Sequence, residues 1–232
     1  MKIAIIGSGF GALATAFDLS KSKNTEIDII DAQQFAGGMA TGIEKAGWRW
    51  SLEEHYHHVF DTDRAFKDFL FELGLRDQLI YKRTKSSTLY NGKIHQIDSP
   101  LSLLRFKEIS FLSRLRTGIV LAFLKILPNG VILEKFKASQ FLSATMGKEA
   151  WQVIWEPLFT SKFGRYKDEI NLSWFWARIN PRTAALGYFQ GGFKRLADLI
   201  VDKLKKMGVK FYFEIQVKKI VKTENKFTLS LL

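Results

Sequence analysis

An α/β fold with a parallel sheet is the class this sequence predicts, on three observations. An apolar run, Lys2-Ile3-Ala4-Ile5-Ile6, meets a glycine turn, Gly7-Ser8-Gly9-Phe10-Gly11-Ala12, and apolar residues then recur at helical spacing from Leu13 to Leu19. A second strand-like run, Glu26-Ile27-Asp28-Ile29-Ile30, ends at an acid, Asp31, 24 residues beyond Gly7. The 232 residues are 47% hydrophobic and 25% charged, enough apolar material for a sizeable core and too much for disorder.

Strand, glycine turn, helix and strand make a βαβ unit whose turn suits a dinucleotide. Gly7 permits the tight turn and Gly9 lets the backbone approach a pyrophosphate. Position 12 must be small so that the helix packs on the strand, and Ala12 stands there. Behind Ser8, Phe10 and Gly11 the helix start offers N–H groups and a positive dipole end to phosphates. Asp31 is placed to accept hydrogen bonds from ribose hydroxyls, and a carboxylate there disfavours the 2′-phosphate of NADP. A lysine and an apolar stretch also begin a signal peptide, but three glycines interrupt the stretch and no tidy cleavage site follows.

The residues after Asp31 narrow the cofactor. Asp31-Ala32-Gln33-Gln34-Phe35-Ala36-Gly37-Gly38-Met39-Ala40 puts a double glycine six residues beyond the acid, where a plain NAD-binding domain would turn into a crossover helix. The pair predicts a loop that brings its backbone back to the bound dinucleotide. At this point the sequence resembles the flavin-containing amine oxidase superfamily, which includes protoporphyrinogen oxidases and phytoene desaturases. The resemblance continues in Gly47-Trp48-Arg49-Trp50-Ser51-Leu52-Glu53-Glu54-His55 and in Tyr188-Phe189-Gln190-Gly191-Gly192-Phe193 with the helix after it. Gly208-Val209-Lys210-Phe211 and Val217-Lys218-Lys219-Ile220 are similar to the superfamily's returning strands.

That resemblance implies FAD, held by residues 7–12, Asp31, Ala32 and the Gly37, Gly38, Met39, Ala40 loop, with the backbone of Val217 against the adenine. It implies a Rossmann-like FAD-binding domain over 1–60 and 187–232, with a mixed α+β substrate domain inserted over 61–186. Phe35 and Met39 stand where many relatives have arginines, Ser51 replaces a frequent acid and Glu53 a frequent glycine. No glycine-rich closing segment of the superfamily precedes Leu232, so the chain is expected to be the N-terminal portion of a longer protein.

Between the nucleotide-binding segments the pattern is helical with one hairpin. Phe66, Phe69, Leu70, Leu73 and Leu75 give a helix closed near Gly74, and Asn91-Gly92 is a two-residue hairpin turn. A helical zone runs with breaks from Pro100 to Phe141. Its most apolar stretch, Gly118 to Leu127, is too short to span a bilayer. The favoured reading of that stretch is a buried core helix. The alternative is an interfacial membrane helix, with Arg105, Lys107, Arg114 and Arg116 upstream. Trp151, Trp155 and Phe159 share one helix face, read first as core and second as the wall of a substrate cavity. Lys162, Arg165, Arg178 and Arg182 are candidates for holding substrate carboxylates.

Chemistry-bearing residues are few. With no cysteine there is no thiol nucleophile, iron–sulfur site or disulfide scaffold, and His55, His57 and His58 are too closely spaced on one element to converge on a metal. His55 and His57 are the catalytic candidates. The net charge is +12, yet residues 1–60 hold five basic and seven acidic side chains, so the excess lies in the rest. No aromatic–basic nucleic-acid signature accompanies it; the first reading is a solvated basic face, and the sharper one is attraction to an anionic substrate or a membrane surface. The expectation is therefore a cytoplasmic FAD-dependent oxidoreductase transferring a hydride equivalent from an apolar or planar substrate, an anionic one included, with peripheral membrane contact as a further option. The rivals are a flavin-dependent sugar-nucleotide mutase and a non-catalytic dinucleotide-binding fragment.

Overall fold

The computed structural model of the chain describes residues 1–224 and 226–232. From the N-terminus it runs β1 (Lys2–Ile6), α1 (Phe10–Ser20), β2 (Glu26–Ile30), β3 (Gly42–Ile43), β4 (Leu52–Glu53), β5 (Val59–Phe60), α2 (Arg64–Glu72) and β6 (Leu79–Arg83). There follow β7 (Ser87–Tyr90), β8 (Lys93–Gln96), α3 (Pro100–Arg105), α4 (Phe111–Ile126), α5 (Ala138–Met146), α6 (Lys148–Ala150), α7 (Glu156–Phe163) and α8 (Leu172–Ile179). The chain closes with β9 (Ala185–Phe189), α9 (Phe193–Lys206), β10 (Lys210–Tyr212), β11 (Val217–Thr223) and β12 (Lys226–Leu231). It divides into two units, Met1–Lys82 with Ala185–Leu232, and Arg83–Ala184.

In the first unit β1 and β2 pair in parallel from Lys2 opposite Glu26 to Ile6 opposite Ile30. β10 joins the far side of β2, also in parallel, giving the order β1-β2-β10. The crossover between β1 and β2 is α1, which buries Leu13, Ala16 and Phe17 against Ile27 and Ile29 of the sheet. α9 adds Leu196, Ile200 and Leu204 to the same core, at the spacing of one helix face. This is the Rossmann-like arrangement, with β1 bonded on one side only among the described residues. The unit runs past residue 60 to Lys82 because α2 buries Leu70, with Leu73 just beyond it, in this core. α2 stops before Gly74, whose φ of +72° turns the chain, and the apolar residues beyond it enter β6 instead of extending the helix. A second sheet, ordered β5-β9-β6, brings the returning chain beside it.

The second unit is one hairpin and a set of short helices. β7 and β8 pair antiparallel around Asn91-Gly92, both at positive φ, as a type I′ turn requires. Its core is aromatic: Phe159 meets Trp174 edge-on at 5.4 Å, Trp155 meets Phe175 at 4.9 Å and Phe163 meets Trp174 at 4.7 Å. The aromatic face is therefore packing. A π-helical turn over Trp151–Trp155 precedes Pro157, which lacks the N–H that a regular turn would use.

Residues 118–127 depart from the favoured sequence reading. They lie in the latter part of α4 and beyond its end, yet within α4 only Ser113, Thr117 and Leu124 are buried, while most of its large apolar side chains face outward. Arg116 ties α4 to the end of α5 through the Ala144 and Thr145 carbonyls, Ser113 Oγ donates to Glu149 of α6 at 3.0 Å, and Leu124 enters the core, which leaves the other side of the helix facing outward. No helix among the described residues is long and apolar enough to cross a membrane.

Candidate cofactor site

β1 delivers the chain to a turn stitched to the end of β2. The Gly7 N–H donates to Ile30 O at 2.8 Å, with Gly7 at φ +90°, a backbone state that side-chain-bearing residues rarely adopt. Ser8 is fully buried, and its N–H and Oγ–H both donate to Asp31 Oδ2 at 2.6 Å. Asp31 Oδ1 accepts from Gln33 N–H at 2.8 Å. The acid therefore clamps the glycine turn itself. Because a carboxylate offers about four acceptor positions, it keeps capacity for a ligand hydroxyl.

α1 begins on Gly9 with no described side chain capping it, so its first N–H groups have no side-chain partner. A Cβ built at Gly7, Gly9 or Gly11 would meet nothing within 4 Å, so these positions line open space where another group can approach the backbone. The double-glycine loop closes one side. Gly37 N–H donates to Ser8 O at 3.0 Å, Gly37 bridges Gly9 in parallel, and a Cβ on Gly38 would lie 3.2 Å from Gly9 Cα. Ala36 and Ala40 are buried under the loop, whereas Ala32 and Met39 are exposed. Loop and turn are thus brought together as the spacing predicts.

Val217 opens β11. Two residues before it, Ile215 N–H donates to Asp31 O at 3.0 Å, which holds this segment to the end of β2. Phe35 and Met39 offer no charge, but a cation reaches the loop from α9. Lys194 Nζ lies 5.6 Å over the Phe35 ring and pairs with Asp198 at 2.9 Å.

Sequence reasoning missed the network at the start of α9. The Glu53 carboxylate accepts from the Tyr188 hydroxyl and, at 3.0 Å, from the Phe193 N–H, so it caps α9 from another element. Burial pushes the Tyr188 phenol up, and the Glu53 hydrogen bond and charge push it further. Trp50 stacks parallel on Tyr188 with ring centres 5.7 Å apart, and Phe193 packs edge-on to Phe10 at 6.1 Å. A Cβ on Gly192 would collide with Ser51 Oγ. The departures from the superfamily pattern at 51 and 53 are thus explained together: a small serine and an acid replace bulk and glycine where the α9 N-terminus docks. The only signal for this was the pairing of two departures with a distant Gly-Gly pair.

The histidines do not form a cluster of ligands. His57 Nδ1 lies 2.5 Å from His55 O and its ring centre is 6.1 Å from that of Phe193, while His55 is exposed. Among the described residues no three His, Cys, Asp or Glu side chains gather as a metal site. In the second unit three of the four candidate carboxylate-binding cations have separate partners. Arg182 donates to Ser86 Oγ at 3.0 Å, Arg165 to Tyr166 Oη at 2.6 Å, and Arg178 lies over Trp174.

The family model described as flavin containing amine oxidoreductase matches residues 13–232. The chain belongs to this family. Its cofactor is FAD. The chain is 23% identical over 191 residues to the chloroplastic protoporphyrinogen oxidase of Nicotiana tabacum, covering 81% of this chain and 34% of that protein. It is 23% identical over 267 aligned residues to a 1-hydroxycarotenoid 3,4-desaturase from a Flavobacterium, covering 98% of this chain and 52% of that one. Among solved structures, an oxidoreductase from Methanosarcina mazei superposes with a TM-score of 0.67 at 18% identity, covering all of this chain and 56% of that one. The chain thus spans about half or less of the curated relatives it matches. The family match begins at Leu13, so the role of the glycine turn rests on its own geometry. That geometry fits a flavin dinucleotide: open glycine backbone, an unencumbered helix start and an acid at the end of β2 surround one space.

Proposed function

We propose that this chain supplies the dinucleotide-holding part and the second unit of an FAD-dependent oxidoreductase that acts on an apolar or planar substrate. The observation that carries the reading is the glycine cradle: three positions open to approach, backed by the Gly37–Gly38 loop and closed by Asp31. Bound FAD would accept a hydride equivalent from a C–N or C–C bond.

The residues of this chain bind and orient. The uncapped N–H groups at the start of α1 would bind the pyrophosphate, whose charge the helix dipole favours. The free acceptor capacity of Asp31 would take ribose hydroxyls, and the Gly37–Ala40 backbone and the backbone of Val217 would hold the rest of the dinucleotide. His55 and His57, the Nδ1 of the latter lying beside the His55 carbonyl, are the two candidates to hold or move a proton. The second unit, with sixteen basic and seven acidic side chains, supports an anionic substrate or surface.

Purified protein should be yellow, or should become so with added FAD, and should consume an electron acceptor when offered cyclic tetrapyrrole or polyene substrates. A colourless protein whose melting temperature ignores FAD sinks the reading. Turnover of a sugar nucleotide without acceptor consumption moves it to the mutase.

A further inference from the structure

The outward face of α4 carries the wrong residues for water. Leu112, Leu115, Ile119, Phe123 and Ile126 recur every three or four positions and are 62, 44, 60, 48 and 78% exposed. The inward positions include Ser113 and Thr117, both buried, and Thr117 Oγ1 has no hydrogen-bond partner among the described residues. Leu124 is fully buried on the inward side, with Val120 and Leu121 packed against the core, so α4 is apolar on both faces where an ordinary surface helix is polar on the outer one. At about 1.5 Å per residue the strip is about 21 Å long, well beyond a scattered exposed leucine. Val131 and Ile132, just beyond the helix, are exposed as well.

Charge decides which occupant fits. α4 contains no acid, and from Pro100 to Lys137 the chain carries seven basic and two acidic side chains. The whole second unit is net +9. Arg114 lies 5.5 Å over the Phe111 ring and donates to Leu104 O, which keeps its charge on the flank of the apolar strip. A second copy would bring two such basic surfaces together. A lipid surface with anionic headgroups meets both features at once: acyl chains take the strip, and headgroups meet Arg114 and the net positive charge of the unit.

We propose that the outward face of α4 seats this chain on an anionic membrane surface, the helix lying in the interfacial plane. The docking does not depend on the flavin reading, since it is read by vesicle binding alone. The test is flotation of the 232-residue chain with vesicles of phosphatidylcholine containing about 30% phosphatidylglycerol, and with phosphatidylcholine alone. The chain should float with the anionic vesicles, less so as salt rises from about 0.05 to about 0.5 M. Ile119→Glu and Phe123→Glu should each weaken binding by about tenfold or more, with unchanged circular dichroism and melting because both side chains face outward. Failure to float with anionic vesicles, equal flotation on phosphatidylcholine, or undiminished binding by both variants overturns the proposal. So does a dimer by light scattering that Ile119→Glu dissociates, which would assign the face to a second copy. A longer product containing this chain that fails to float under the same conditions would assign the face to its own remaining segment and overturn the proposal equally.

Discussion

At Gly9 and Gly38 one missing Cβ does two different jobs. Gly9 has ordinary φ and open space beside it, so Gly9→Val leaves the apo fold nearly untouched while filling the cradle. Gly38 has φ +57° and sits against Gly9, so Gly38→Val strains the loop as well. Thermal melting with and without FAD separates the two. Gly9→Val should keep the apo melting temperature and lose the FAD-induced rise, with binding weakened by about tenfold or more. Gly38→Val should lower the apo value too, and an unchanged FAD response in Gly9→Val would remove the cradle from the argument. Tyr188 gives a pH signature. Its phenol titrates above its ordinary value because of burial and then Glu53, so the folded state holds that proton more tightly than the unfolded chain. The stabilisation is complete below about pH 10 and is lost as pH rises through the folded value. Urea midpoints should therefore fall steeply in that alkaline range and less steeply in Tyr188→Phe; equal slopes would show that the phenol is not coupled to folding.

At the scale of elements, the ends of α4 and α8 are clasped. Lys125 Nζ donates to the carbonyls of Asn180 and Arg182, both at 2.6 Å, and Asn180 Nδ2 donates back to Lys125 O at 3.0 Å and Leu127 O at 3.1 Å. Burial lowers the Lys125 amine from its ordinary value, but the carbonyls at the C-terminal end of α8 suit a cation there. The turn between this clasp and α5 depends on Gly130, where a Cβ would sit 2.6 Å from Trp176 Cε3. Gly130→Ala should cost about 1–3 kcal/mol by forcing the indole aside, read as a lower urea midpoint by tryptophan fluorescence. An unchanged midpoint would mean that Trp176 moves freely. The sequence made Pro128-Asn129-Gly130 legible as a break, because turn chemistry is local. It could not show why glycine is needed, because the indole comes from 46 residues later. The same limit explains α4: its apolar run was plain, but which side faces the core depended on where Arg116 meets the end of α5 and Ser113 meets Glu149 of α6. The βαβ unit was legible because strand, turn, helix and acid are contiguous, whereas the Glu53–Tyr188–Phe193 network joins residues about 135–140 apart.

At the scale of the whole molecule, the two units differ in how the chain assembles them. Arg83–Ala184 is continuous, and its core is made from its own residues, among them Phe106, Leu124, Met146, Phe159 and Phe175. The other unit is interrupted: β10 completes the three-stranded sheet only after the chain returns at Ala185, and α9 brings Leu196, Ile200 and Leu204 to its core. Long-range closure of this kind is slow and costs loop entropy before it is rewarded. Residues 83–184 expressed alone should therefore fold, with a cooperative melt and native-like near-ultraviolet dichroism from their tryptophans. Every residue assigned to the dinucleotide lies outside that segment, so FAD should leave its melting temperature unchanged. In the intact chain, FAD at about a hundred times its dissociation constant should add about 2.7 kcal/mol to the interrupted unit and raise its melting by several degrees. A fragment that melts without cooperativity would show that its core needs the other unit, and an FAD-dependent rise in the fragment would place the nucleotide on the wrong side of Lys82.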